Sequence, residues 1–174
     1  MIRSFGGKTP KIALSAFVSE SAYVVGDVEI GENSSVWPGA VIRGDFGKIT
    51  IGKNTAVEDN CVIHSGSPQK ESGDLVIGDQ VHIGHAAVVN CRKIGNNVLI
   101  GMNATILHDV EIGSFCIIGA GALVSQDMIV PDETFIAGVP AEVKGKVSAK
   151  HAVWTQRAPY AYAELAKRYK DEGL

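Results

Sequence analysis

His64, His82, His85 and His108, the carboxylates of Asp45 and Glu58, the guanidinium of Arg43 and the amide of Asn90 are the side chains here with chemistry to offer. An imidazole can ligate a transition metal or carry a proton near neutral pH, and a carboxylate can do either. Spacing narrows the choice. Arg43, His64 and Asn90 each follow directly on an aliphatic residue (Ile42, Ile63 and Val89) that holds the same place in a repeat. They should stack in one column along an edge of the fold. His85 comes two residues after Ile83, on the preceding face. Side chains on two faces of one chain meet only when a second copy brings its own face up. A site that used both would lie between subunits of a closed ring, and a three-sided prism suits three-fold symmetry.

The repeat that sets these positions has a period of six. Ile77, Ile83, Val89, Ile94, Ile100, Ile106, Ile112, Ile118, Val124 and Val130 keep that step, with one step short by a residue between Val89 and Ile94. Val18, Val24, Ile30, Val36 and Ile42 precede them, and Ile51, Val57 and Ile63 resume the step after a short insertion. A longer insertion separates Ile63 from Ile77, and Ile136 closes the series. Glycine follows many anchors, as at Gly78, Gly84, Gly95, Gly101, Gly113 and Gly119. Neither a helix nor a lone strand yields a strict six. A coil of three short strands does, with one inward aliphatic per strand. Stacked coils then bury a column that no single coil could bury alone. A β-sandwich would show alternation and irregular turn spacing instead.

The expected architecture is all-β, a parallel β-helix of about six coils with a C-terminal α-helix. Residues 1–15 lack the hexad and should cover the first coil. Residues 16–137 form the β-helix, and residues 138–174 form an exit segment and helical tail. Ser148 is placed to cap a short helix through Arg157, with Pro159 as a break or a new first turn. Tyr162, Leu165, Ala166 and Tyr169 then form one apolar face, suited to its own coils or to a neighbouring subunit, and Gly173 is a stop.

Composition agrees with a narrow core. The 174 residues are 45% hydrophobic but only 6% aromatic, so aliphatic side chains must fill the interior. A net charge of −3 offers no broad basic face for nucleic acid. No run is long enough to span a membrane, and the N-terminus has no apolar secretory core. Cys61, Cys91 and Cys116 form no CxxC motif, which fits reduced thiols in a cytoplasm.

Arg43-Gly44-Asp45, the run from Glu58 to His64, Ile83-Gly84-His85, Ile100-Gly101-Met102 and Gly138-Val139-Pro140-Ala141 together resemble the γ-class carbonic anhydrase family. The resemblance covers about residues 10 to 145. It implies a left-handed hexapeptide-repeat β-helix, a homotrimer, and a divalent metal held between subunits by three histidines. Zinc is the foremost metal, with iron, cobalt or nickel as substitutes. It further implies a lyase in which the metal lowers the pKa of its water, so that CO₂ is hydrated to bicarbonate near neutral pH. His64 and His85 match two of the ligands. Arg43 and Asp45 match an ion pair that orders the site and helps hold subunits together.

Three positions depart from the family pattern. The third ligand position, five residues after His85, holds Asn90, a poorer zinc ligand than imidazole. Ala56 and Glu58 replace the Asn and Gln of an N-x-Q-D segment. Glu58 could restore lost ligation or act as a base, so Glu58, Arg43 and Asp45 are expected to serve the chemistry beside His64, His85 and Asn90. His82, directly before an anchor, reads as an exposed or interface imidazole. His108, one coil beyond Asn90 and offset by one residue, reads as bland too, and both are candidate substitutes for the missing ligand. Cys91 reads as small apolar packing and His151 as surface. Two other functions remain open: a metal-binding or scaffolding trimer without catalysis, and a hexapeptide-repeat acyltransferase. Against the latter, the inserted loop Ser65 to Leu75 carries no histidine base.

Overall fold

Inward aliphatics at every sixth position should stack as vertical ladders, and they do. The computed structural model describes residues 1–66 and 73–174 and forms a parallel β-solenoid of about seven turns. The first ladder pairs Ile12, Ile30, Ile51, Ile77, Ile94, Ile112 and Val130 in register. The second pairs Val18, Val36, Val57, Ile83, Ile100, Ile118 and Ile136. The third pairs Ile2, Val24, Ile42, Ile63, Val89, Ile106 and Val124. Ile12, six residues before Val18, extends the first ladder, and Ile2, outside the six-residue step, extends the third. Most of these side chains are fully buried, each stabilising the fold by about 1.5–3 kcal/mol.

Corners between the short strands demand backbone that ordinary residues resist. Asn33, Asn54, Asn97 and Asn103 take left-handed φ values of 51–57°, where asparagine suffers least among side-chain-bearing residues. Glycine is needed where coils touch. At Gly26, with φ of 84°, an added Cβ would collide with the Gly44 carbonyl oxygen of the next coil. That contact lies where the short insertion bulges the pairing of Tyr23–Ile30 with Val41–Ile51. The longer insertion falls partly on residues 67–72, so the middle of the Ser65–Leu75 loop lies outside the described residues.

At the C-terminal end, Glu142–Lys146 pairs antiparallel with Thr134–Ala137 and ends the parallel stacking. The tail differs from expectation. One helix runs from Ala149 to Asp171 with Pro159 inside it, rather than a short helix that stops and restarts. Ser148 is its N-cap, accepting a bond from the His151 amide, and Gly173 follows its end at φ of 76°. A proline inside a helix removes one hydrogen bond and costs about 3 kcal/mol. Docking offsets that cost. Tyr162, Leu165, Ala166 and Tyr169 pack on Phe17 and Trp37 of the second strand row. The Trp37 ring lies 5.5 Å from Tyr162 and 5.1 Å from Tyr169. Lys170 Nζ reaches back to the Leu14 and Ala16 carbonyls.

The helix therefore covers the outer side of one sheet, while the opposite side of that sheet faces the aliphatic ladders. Ile100 sits mid-ladder with no exposed surface. Replacing it with alanine should cost about 2–5 kcal/mol in urea unfolding, because stacked coils leave little slack to refill the void.

Candidate functional site

The ladder register brings the candidate residues into two groups on adjoining faces. On the third ladder's edge, Arg43 and His64 are direct register partners. Asp45 lies between them: one carboxylate oxygen accepts from Arg43 Nη1 at 2.7 Å, and the other is 2.8 Å from His64 Nε2. The pair expected between Arg43 and Asp45 thus forms within one chain and also fixes the His64 imidazole. Asn90 follows on the same edge, since Val89 stacks on Ile63. Its Nδ2 donates to His108 Nε2 at 3.0 Å. Its Oδ1 is buried and has no hydrogen-bond partner among the described residues.

The second group gathers round Glu58. Val57 and Ile83 are register partners, so Glu58 lies beside the turn that carries His85. Glu58 is 2% exposed. Its Oε1 is 3.0 Å from His82 Nε2. Its Oε2 accepts from the His85 backbone N–H at 2.8 Å and lies 3.1 Å from His85 Nε2. The Tyr162 phenol on the helix faces the same carboxylate across the cavity wall. His85 Nδ1 in turn lies 3.0 Å from Asp59, and the ring is 42% exposed. His82 is not the exposed imidazole expected. It is buried beneath the helix with its ring 4.9 Å from Tyr162, and its Nδ1 has no partner among the described residues. Its outward direction was right, but that face is roofed. Small Ala56, its register partner, is buried beside it.

Burial pushes the Glu58 carboxyl up, but bonds from His82, Tyr162 and the His85 amide outweigh it and hold Glu58 below the ordinary glutamate value of 4.5. Burial, and then the Glu58 charge, push the Tyr162 phenol up. The Cys91 thiol is pushed to about 12 by burial, so it packs as a neutral small side chain and offers no thiolate. Beside Glu58, His82, His85 and Tyr162 lies a cavity of about 410 Å³, walled mostly by Leu99, Met102, Ile117 and glycines. Among the described residues of one chain, no three His, Cys, Asp or Glu side chains converge closely enough to hold a metal.

Comparison with known proteins identifies the family. Residues 93–126 match the bacterial transferase hexapeptide (six repeats) model. The chain is 37% identical over 170 residues to a carbonic anhydrase of Geobacillus kaustophilus, covering 98% of this chain and 91% of that protein. It belongs to the γ-class carbonic anhydrase family. The mitochondrial γ carbonic anhydrase 2 of Arabidopsis thaliana is 34% identical over 167 residues, 95% of this chain. This chain spans 60% of that plant protein's length. A hexapeptide transferase family protein from Anaplasma phagocytophilum superposes with a TM-score of 0.90 at 32% identity, covering 97% of each chain. Among the described residues, no helix of this family member is long and apolar enough to cross a membrane.

Sequence reasoning missed the placement of His82 and Tyr162 around Glu58. The row of apolar outward residues Phe17, Leu99 and Ile117, in one ladder with His82, is the signal that this face is covered. Glu58 also sets a pH dependence. Its folded pKa is depressed, so the stability it contributes is complete above the ordinary glutamate value and is lost as pH falls through the folded one. Urea midpoints should drop on acidification below about pH 4.5, and Glu58→Gln should flatten the acid end of that curve.

Proposed function

We propose that this γ-class carbonic anhydrase family member is a homotrimer that holds a divalent cation between subunits and hydrates CO₂. The observation that carries the reading is the presence of two groups on adjoining faces, each with an imidazole braced by carboxylate. One chain would bring His64 and the orphaned Asn90 Oδ1; its neighbour would bring His85 and Glu58. Two imidazoles with oxygen donors suit zinc, and also iron, cobalt or nickel. When bound, the cation would polarise a water and bring its ionisation towards neutral pH.

The chain's own residues have definable tasks in this reading. Asp45, itself held by Arg43, fixes the His64 ring. Asp59 and Glu58 fix the two edges of the His85 ring. Apolar walls at Leu99, Met102 and Ile117 give a small nonpolar substrate a dry approach. A catalytically silent metal-binding trimer is the competing outcome.

Sedimentation at micromolar concentration should show a trimer; a stable monomer would remove the shared site. Protein reconstituted with zinc, cobalt or iron should hydrate CO₂ in stopped-flow assays. Full metal occupancy without turnover would leave the silent trimer instead. Asn90→His should tighten metal retention during dialysis against a mild chelator, since it supplies a third imidazole.

A further inference from the structure

We propose that Glu58 is itself a metal ligand and takes the place of the third histidine, giving a donor set of His64, His85 and Glu58. This rests on the intersubunit cation site argued above and specifies its chemistry. Glu58 Oε2 and His85 Nε2 lie 3.1 Å apart. Two donors each about 2.0–2.2 Å from one cation are separated by about this distance. A cation seated there would replace the direct contact between them without moving either side chain far.

The surroundings of Glu58 hold the carboxylate in one orientation at the edge of the cavity. Glu58 is 2% exposed, and both oxygens are engaged. His82 Nε2 at 3.0 Å and the His85 amide at 2.8 Å lock its orientation, and the Tyr162 ring packs on His82 at 4.9 Å. Metal-binding side chains are held by outer hydrogen bonds of this kind, which fix geometry and raise affinity. His82 and Tyr162 thereby gain a role as positioning residues.

Charge points the same way. A buried carboxylate is costly without a compensating cation. Among the described residues, no Lys or Arg forms an ion pair with Glu58; its ionic partners are His82 and His85. The loss of imidazole at Asn90 and the gain of a carboxylate at Glu58 then compensate each other across the subunit boundary. Two histidines and a glutamate with one position open is an established donor set for catalytic zinc. Asn90 Oδ1, a neutral oxygen, is left to accept a bond from water or to ligate weakly.

The test compares wild type, Glu58→Gln, Asn90→His and the double variant. Metal per chain is measured after chelator dialysis, and the visible spectrum is recorded with cobalt bound. Glu58→Gln should weaken retention about tenfold or more and shift the cobalt bands. The double variant should regain retention, because three imidazoles make Glu58 dispensable. Wild-type retention and spectrum in Glu58→Gln would overturn the proposal. So would a double variant as weak as Glu58→Gln alone, since Glu58 would then act only by bracing His85. X-ray absorption on the zinc-loaded wild type gives a check that needs no variant: two imidazoles are expected, and three would overturn it. If neither wild type nor Asn90→His retains metal, the cation site itself fails, an outcome distinct from loss in Glu58→Gln alone.

Discussion

Coil-to-coil backbone pairing is the constraint on which everything else in this molecule depends. Each short strand donates to the coil beside it, as when the Gly84 amide bonds to the Ile100 carbonyl and the Gly101 amide to Ile118. That pairing fixes which residues lie above one another, and so fixes the aliphatic columns. It also fixes the outward columns. His64 stands over Arg43 for the same reason that Ile63 stands over Ile42. Packing and chemistry here are two readings of one register. A slip of one residue would turn every anchor outward and scatter both histidine groups.

The fold was legible because a six-residue period has few physical solutions. The anchors from Val18 to Ile136 stack as the spacing requires, and the small Ala and Cys residues two places before many of them are buried as well. Pro159 was misleading. Local preference argues for a break, whereas the ring contacts of Tyr162 and Tyr169 with Trp37 are long-range and hold the helix through it. The column of Arg43, His64 and Asn90 was legible from anchor arithmetic, because it follows directly from register. The Glu58 cluster was not. It joins a turn, a neighbouring coil and a helix more than a hundred residues away, and no spacing rule links those three.

The separation of the two histidine groups follows from the shape of a prism. Adjoining faces of one chain diverge, so His64 and His85 belong to different surfaces even though their coils are neighbours. Each imidazole is nonetheless held in place by carboxylates inside its own chain. Preorganisation of this sort means that a ligand reaching either ring need not order it first. The Arg43–Asp45 pair closes within the chain and serves the same end.

A parallel stack has two open rungs, and an open rung is an invitation to grow. The strand Glu142–Lys146 answers this at the C-terminal end by running against the direction of the rest. Its backbone cannot template another parallel coil in the register that the ladders use. Glu142, Lys144 and Lys146 lie exposed along it, charged side chains that resist pairing with a second edge. The same small element that completes the fold therefore sets its length and keeps the solenoid from becoming a fibre.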